Sequence, residues 1–191
     1  MRVRICHAYF QYPNLRNVFG EWFHYRTKRK LAKKYKRLLP HICEILNIPI
    51  NTKCDIWIRK NFDHNPLFYI WEGAYYNPTD NYIQISMDEP STGSYWTETV
   101  APLLPPNFDW HVYTLAHEMA HLKQYLEGRL IDRVYASGML AQFKMVEAHV
   151  FEGKEYSRYH PWGSHYEKPW EIDANSEAIK VISGLHIRGL Q

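Results

Sequence analysis

Residues 117–121 run His117-Glu118-Met119-Ala120-His121, an HExxH pattern inside an apolar segment. Two histidines four positions apart project from the same face of a helix. Their imidazoles can converge on one tetrahedral metal ion at about 2.0–2.1 Å each. Glu118 follows the first histidine and can lie beside the ion's open position, where it can deprotonate a bound water. The expected chemistry is hydrolysis assisted by one zinc ion. It requires a helix under the motif, a third ligand further on, and a strand beside the site.

The helix is expected over 107–128. Pro105-Pro106 ends the preceding loop, Asn107 or Asp109 can cap the first turn, and Gly128 sits just past the end. Val112, Leu115, Ala116, Met119, Leu122 and Leu126 form an apolar stripe at helical spacing. Upstream, residues 21–47 read as one long helix ending before Pro49, within an N-terminal helical part spanning 1–50. Residues 53–60 alternate, with Cys54, Ile56 and Ile58 on one side, and predict a strand. Residues 67–88 predict a hairpin that turns at Asn77-Pro78-Thr79-Asp80, with Ile83, Ile85 and Met87 inward. A long loop follows over 89–107. After the motif, 129–168 is a variable segment: a helix or irregular lid over 129–143, a hairpin turning at Glu152-Gly153, then a loop. A last helix is expected over 169–185, with Pro169 at its start and Gly184 near its end. The layout is a single α+β domain over 1–191. A small, mostly antiparallel sheet within 51–90 packs beside the motif helix and the C-terminal helix. The strand nearest the site can hold an extended peptide by edge pairing.

A catalytic zinc usually takes three protein ligands and a water. Position 124 is Gln and position 127 is Glu, so the compact HExxHxxGxxH arrangement is excluded. Later candidates are His149, Glu147, Asp132, His160, His165, Glu171 and Asp173. Glu171 is preferred. It opens a helix on the same face as Ala174, Asn175, Ala178, Ile182 and Leu185, an inward, small-residue face on which a solvated carboxylate is out of place. Asp173 or Asn175 can accept the remaining N–H of His117 or His121 and fix its tautomer. The tetrahedral oxyanion of acyl transfer needs a further donor. Catalytic candidates for it are His165 and Tyr166, with Tyr159, in the loop before Glu171.

His-Glu-Met-Ala-His followed by Glu171-x-Asp173-Ala174-Asn175 resembles the HExxH…E zinc peptidases, the gluzincin group, and in its short second motif the ImmA/IrrE-type peptidases. The run Phe151-Glu-Gly-Lys-Glu-Tyr156, Tyr159 and Lys168-Pro-Trp-Glu-Ile-Asp-Ala174 looks like metallopeptidases of phages and other mobile elements. The resemblance covers about residues 67–185. It implies a minimal zincin fold, zinc held by His117, His121 and Glu171, Glu118 as general base, and a peptide or protein substrate. Asn175 departs from the larger gluzincins, which tend to have Asp there.

Composition bounds the remainder. At 191 residues the chain suits one domain with a sizeable core, and 7 Trp, 15 Tyr and 8 Phe exclude a disordered chain. A net charge of +3 gives no global drive toward nucleic acid. Positive charge is concentrated over Arg26–Arg37, with Leu31, Tyr35, Leu38, Leu39 and Ile42 interleaved at helical spacing. That segment is either the solvated face of an amphipathic helix or a phosphate-facing surface. One alternative to the peptidase is a binding module whose zinc is only structural, with His149 or His165 as the fourth ligand. Another is a DNA-associated or phage accessory protein that works through the basic helix, its zinc site structural or auxiliary. Three cysteines without metal spacing fit reduced thiols, and no apolar run reaches membrane-spanning length. A cytoplasmic, non-membrane protein is expected.

Overall fold

Strand β1 (Arg2–Ile5) opens the chain, and the long helix α1 (Leu15–Leu46) carries it back to a parallel partner, β2 (Asp55–Arg59). The structure is a computed structural model and describes residues 1–5, 15–59, 74–86, 96–136, 144–157 and 167–190. Strands β3 (Ala74–Asn77) and β4 (Tyr82–Ser86) form a hairpin, and β4 pairs parallel with β2. The four-stranded sheet has the order β1-β2-β4-β3. A single π-helical turn (Trp96–Val100) and a 3-10 turn (Ala101–Leu103) lead into α2 (Trp110–Leu126), the motif helix. A second, three-stranded antiparallel sheet follows: β5 (Leu130–Ala136), β6 (Lys144–Phe151) and β7 (Lys154–Ser157). Helix α3 (Pro169–Ile187) closes the described fold.

The core lies between the first sheet and the three helices. Alternation along β2 and β4 points Ile56, Ile58, Ile83 and Ile85 to one face, where all four are buried. They meet Tyr35, Leu38, Ile42 and Leu46 of α1, Leu115, Met119 and Leu122 of α2, and Val181, Ile182 and Leu185 of α3. Each such side chain contributes about 1.5–3 kcal/mol of transfer free energy. All three helices stop in the same way, on a residue in the left-handed conformation (Asn47, Gly128, Gly189). The next N–H reaches back to satisfy a last-turn carbonyl: Ile48 to Cys43, Arg129 to Gln124, and Leu190 to Leu185.

The α+β class holds, and the sheet expectation needs correcting. The first sheet is mainly parallel rather than mostly antiparallel, because α1 is a crossover between β1 and β2, and a crossover sets strands parallel. The four-residue β1 is too short to stand out in the sequence. Residues 130–136 are a strand, neither helix nor lid; a register shift between Arg133 and Val134 breaks the alternation that marks a strand. Gly184 lies in the last turn of α3, and a Cβ there would stand 3.0 Å from Ile45 Cδ1, so α1 and α3 approach closely at that point. Leu126 is exposed and does not extend the apolar stripe. Helix α1 starts at Leu15, six residues before the predicted start. Met87, the remainder of the 129–143 segment, and most of the loop over 158–168 lie outside the described residues, as do the first parts of the 67–88 hairpin and the 89–107 loop. Cys43 and Cys54 are free, buried thiols, and burial pushes the latter up to about 12. No helix among the described residues is long and apolar enough to cross a membrane.

Candidate metal centre

Helix α2 carries the motif on its buried side. Its N-cap is Asp109, whose Oδ1 accepts the Val112 N–H at 3.1 Å. Two turns further on, His117, Glu118 and His121 are all buried. Helix α3 brings Glu171 in from the opposite side, also buried, in its first turn. The His117 and His121 Nε2 atoms are 3.1 Å apart, and each lies 3.3 Å from Glu171 Oε2. Four ligands at about 2.05 Å around a tetrahedral ion stand about 3.3 Å from one another. The three atoms therefore have the spacing of three corners of such a site. A charge-assisted hydrogen bond would instead draw the carboxylate to about 2.7–2.9 Å. Among the described residues, this is the one His/Cys/Asp/Glu group with such convergent atoms.

Two devices hold α3 in place. Trp170, next to Glu171, is buried with Leu130, Phe151 and Tyr156 of the second sheet. Its indole therefore anchors outward while Glu171 faces the histidines. Gln124, three residues after His121, ties both helices together. Its Nε2 donates to Trp170 O at 2.8 Å and to Asp173 at 2.9 Å. With both N–H groups directed to acceptors, its Oε1 must accept, and it lies 2.9 Å from His121 Nδ1. In its neutral form His121 then carries its proton on Nδ1 and presents a lone pair at Nε2 toward the cluster. Asp173 is held in turn by Arg129, which also pairs with Glu152 at the β6–β7 turn.

Asp173 and Asn175 do not accept from the imidazoles as expected. Asp173 acts one step removed, through Gln124, and Asn175 Oδ1 accepts from Tyr113 Oη at 2.9 Å. Glutamine three positions after the second motif histidine is the signal that could have marked this group, since the two share a helix face. Sequence reasoning also missed the backbone of β3: the Tyr76 N–H donates to the Glu118 carboxylate.

The electrostatics follow from burial. Loss of water drives the Glu118 carboxyl up; His117, His121 and the Tyr76 N–H only partly oppose it, and Glu171 adds to it. For His121 burial favours the neutral ring, but Glu171 and Glu118 outweigh it and the ring is pushed up to about 9. Both shifts describe a dry pocket in which buried carboxyls lie against imidazoles, an arrangement that is costly without compensation. The donor set of two imidazoles and one carboxylate matches a zinc site.

Of the other candidates, His149 lies on β6 with its Nδ1 2.7 Å from Asp132 and its ring against Trp170. Neither it nor Asp132 joins the convergent group. Tyr159, His160, His165 and Tyr166 lie outside the described residues. No family model, curated protein or solved structure matches the chain.

Proposed function

We propose that the chain is a zinc-dependent peptidase of minimal zincin-like fold, with His117, His121 and Glu171 as metal ligands and Glu118 as general base. The observation that carries this reading is the triangle of donor atoms, 3.1, 3.3 and 3.3 Å on its sides, with Glu118 in the same buried turn. When bound, zinc supplies Lewis acidity, lowering the pKa of a water and polarising a carbonyl. Glu118 accepts a proton from the attacking water and hands it to the leaving amine. A raised carboxyl suits both halves of that transfer. The Tyr76 N–H orients the Glu118 carboxylate from the last strand of the described sheet. An extended substrate peptide pairing with that edge would pass beside the base. His165 and Tyr166 are the proposed donors to the oxyanion.

Purified protein is expected to carry about one zinc per chain. Glu118→Gln should retain the metal and lose at least about 100-fold in cleavage of a peptide library, the scale of general acid–base catalysis. His117→Ala should lose the metal. Unchanged metal content in that variant would sink the assignment.

A further inference from the structure

Helix α1 carries its charge on one side. Between Arg26 and Arg37 lie eight of the chain's 23 Lys and Arg residues, and no Asp or Glu occurs between Glu21 and Glu44. The rest of the chain is left with fifteen cations against all 20 Asp and Glu, so outside this segment the protein is net acidic. Leu31, Tyr35, Leu38 and Ile42 face the core. Arg26, Arg29, Lys30, Lys33, Lys36 and Arg37 are exposed and recur at three- and four-residue steps, which is one helical face. Two other cations are engaged elsewhere: Lys28 is buried and Lys34 pairs with Asp109. The exposed row runs for about 16 Å, at 1.5 Å per residue.

Like charges at these spacings repel and destabilise a helix. Ordinary solvated faces mix signs. A single-sign row over three turns is complementary to a line of phosphates, and duplex DNA presents one negative charge per about 1.7 Å of its axis. A membrane surface fits less well. An interfacial helix sets Trp, Phe or Leu beside its cations, whereas of the apolar residues of α1 from Tyr25 to Ile42 only Tyr25 and Pro40 are exposed and the rest are buried in the core. We propose that the exposed basic row of α1 binds the phosphate backbone of duplex nucleic acid without regard to sequence. This surface is independent of the metal centre.

The test is fluorescence anisotropy with a labelled duplex DNA of arbitrary sequence. Binding is expected at micromolar protein in 50 mM salt. For about four phosphate contacts it should weaken about 100-fold by 200 mM. Combined Arg29→Gln, Lys30→Gln, Lys33→Gln and Lys36→Gln should weaken binding at least tenfold and flatten the salt dependence, with melting temperature unchanged or raised by the relieved repulsion and zinc content unchanged. Should the fourfold variant melt early, the pairs Arg29→Gln/Lys33→Gln and Lys30→Gln/Lys36→Gln should each remove about half the salt slope. Neutralising Lys53 and Lys154, exposed elsewhere, should leave binding within twofold. Glu118→Gln should also leave it unchanged, which separates this result from the fate of the peptidase reading. No binding in 50 mM salt would overturn the proposal, as would binding indifferent to the four substitutions. Row-dependent binding to phosphatidylserine vesicles in place of duplex would overturn it too.

Discussion

Gln124 is the side chain on which the orientation of His121 and the seating of Glu171 both depend. Its amide joins His121 Nδ1 to Trp170 O and Asp173, all within 2.9 Å. Gln124→Leu keeps the size of the side chain and removes every one of these bonds. The Trp170 carbonyl would be left buried without this donor, a cost of about 1–3 kcal/mol. His121 would lose the group that sets its tautomer, and groups of this kind are worth about 10–100-fold in metal affinity. Zinc affinity measured by competition with a chromophoric chelator should fall by that factor. An unchanged affinity would show that α3 is seated by Trp170 and Arg129 alone. The histidines and Glu118 were legible in the sequence because their chemistry is written into spacing along one helix. Glu171 was legible because a carboxylate on a small-residue face is anomalous. Gln124 was not, since its meaning comes from acceptors on α3 that only helix packing supplies.

The element that sets the register of the site is α2, and Asp109 starts it. One carboxylate oxygen accepts the Val112 N–H and the other pairs with Lys34 of α1. Removing the cap with Asp109→Ala should cost about 1 kcal/mol of unfolding free energy. Asp109→Asn keeps a capping oxygen and loses only the ion pair. Both partners of that pair are about a third exposed, so its loss should cost a few tenths of a kcal/mol. Urea denaturation of both variants separates the contributions, and equal losses would mean that the ion pair dominates. Helix α2 was readable because its stripe, cap and terminal glycine agree with one another. The second sheet was readable only at Glu152-Gly153, where the left-handed turn residues joining β6 to β7 stand out. In β5 the irregularity after Arg133 disguises the alternation. The parallel pairing of β1 with β2 leaves no local mark at all, because it depends on where a 32-residue helix returns the chain.

At the scale of the whole molecule, three ion-paired carboxylates link elements that the core alone would leave free to shift. Asp109 joins α2 to α1, Glu177 of α3 takes Lys123 of α2, and Asp173 of α3 takes Arg129 at the head of the second sheet. Burial would raise each carboxyl, but the cations and N–H groups beside each one outweigh it and hold all three below their ordinary range. A depressed folded-state pKa adds stability that is fully present above the unfolded value, near 4. That stability is lost as pH falls through the folded value. Glu118 is shifted upward, mainly by burial, so its contribution has the opposite sign, but that contribution is complete once pH has fallen to the unfolded value and does not act below it. Melting in the presence of a chelator keeps metal release out of the measurement. The midpoint should then change little between pH 6 and 5 and fall steeply below about pH 4. Combined Asp173→Asn and Glu177→Gln should lower the midpoint at neutral pH and shrink the acid-dependent fall. An acid transition of undiminished size in that variant would place its origin in other carboxylates and rule out these pairs as the links between α2, α3 and the second sheet.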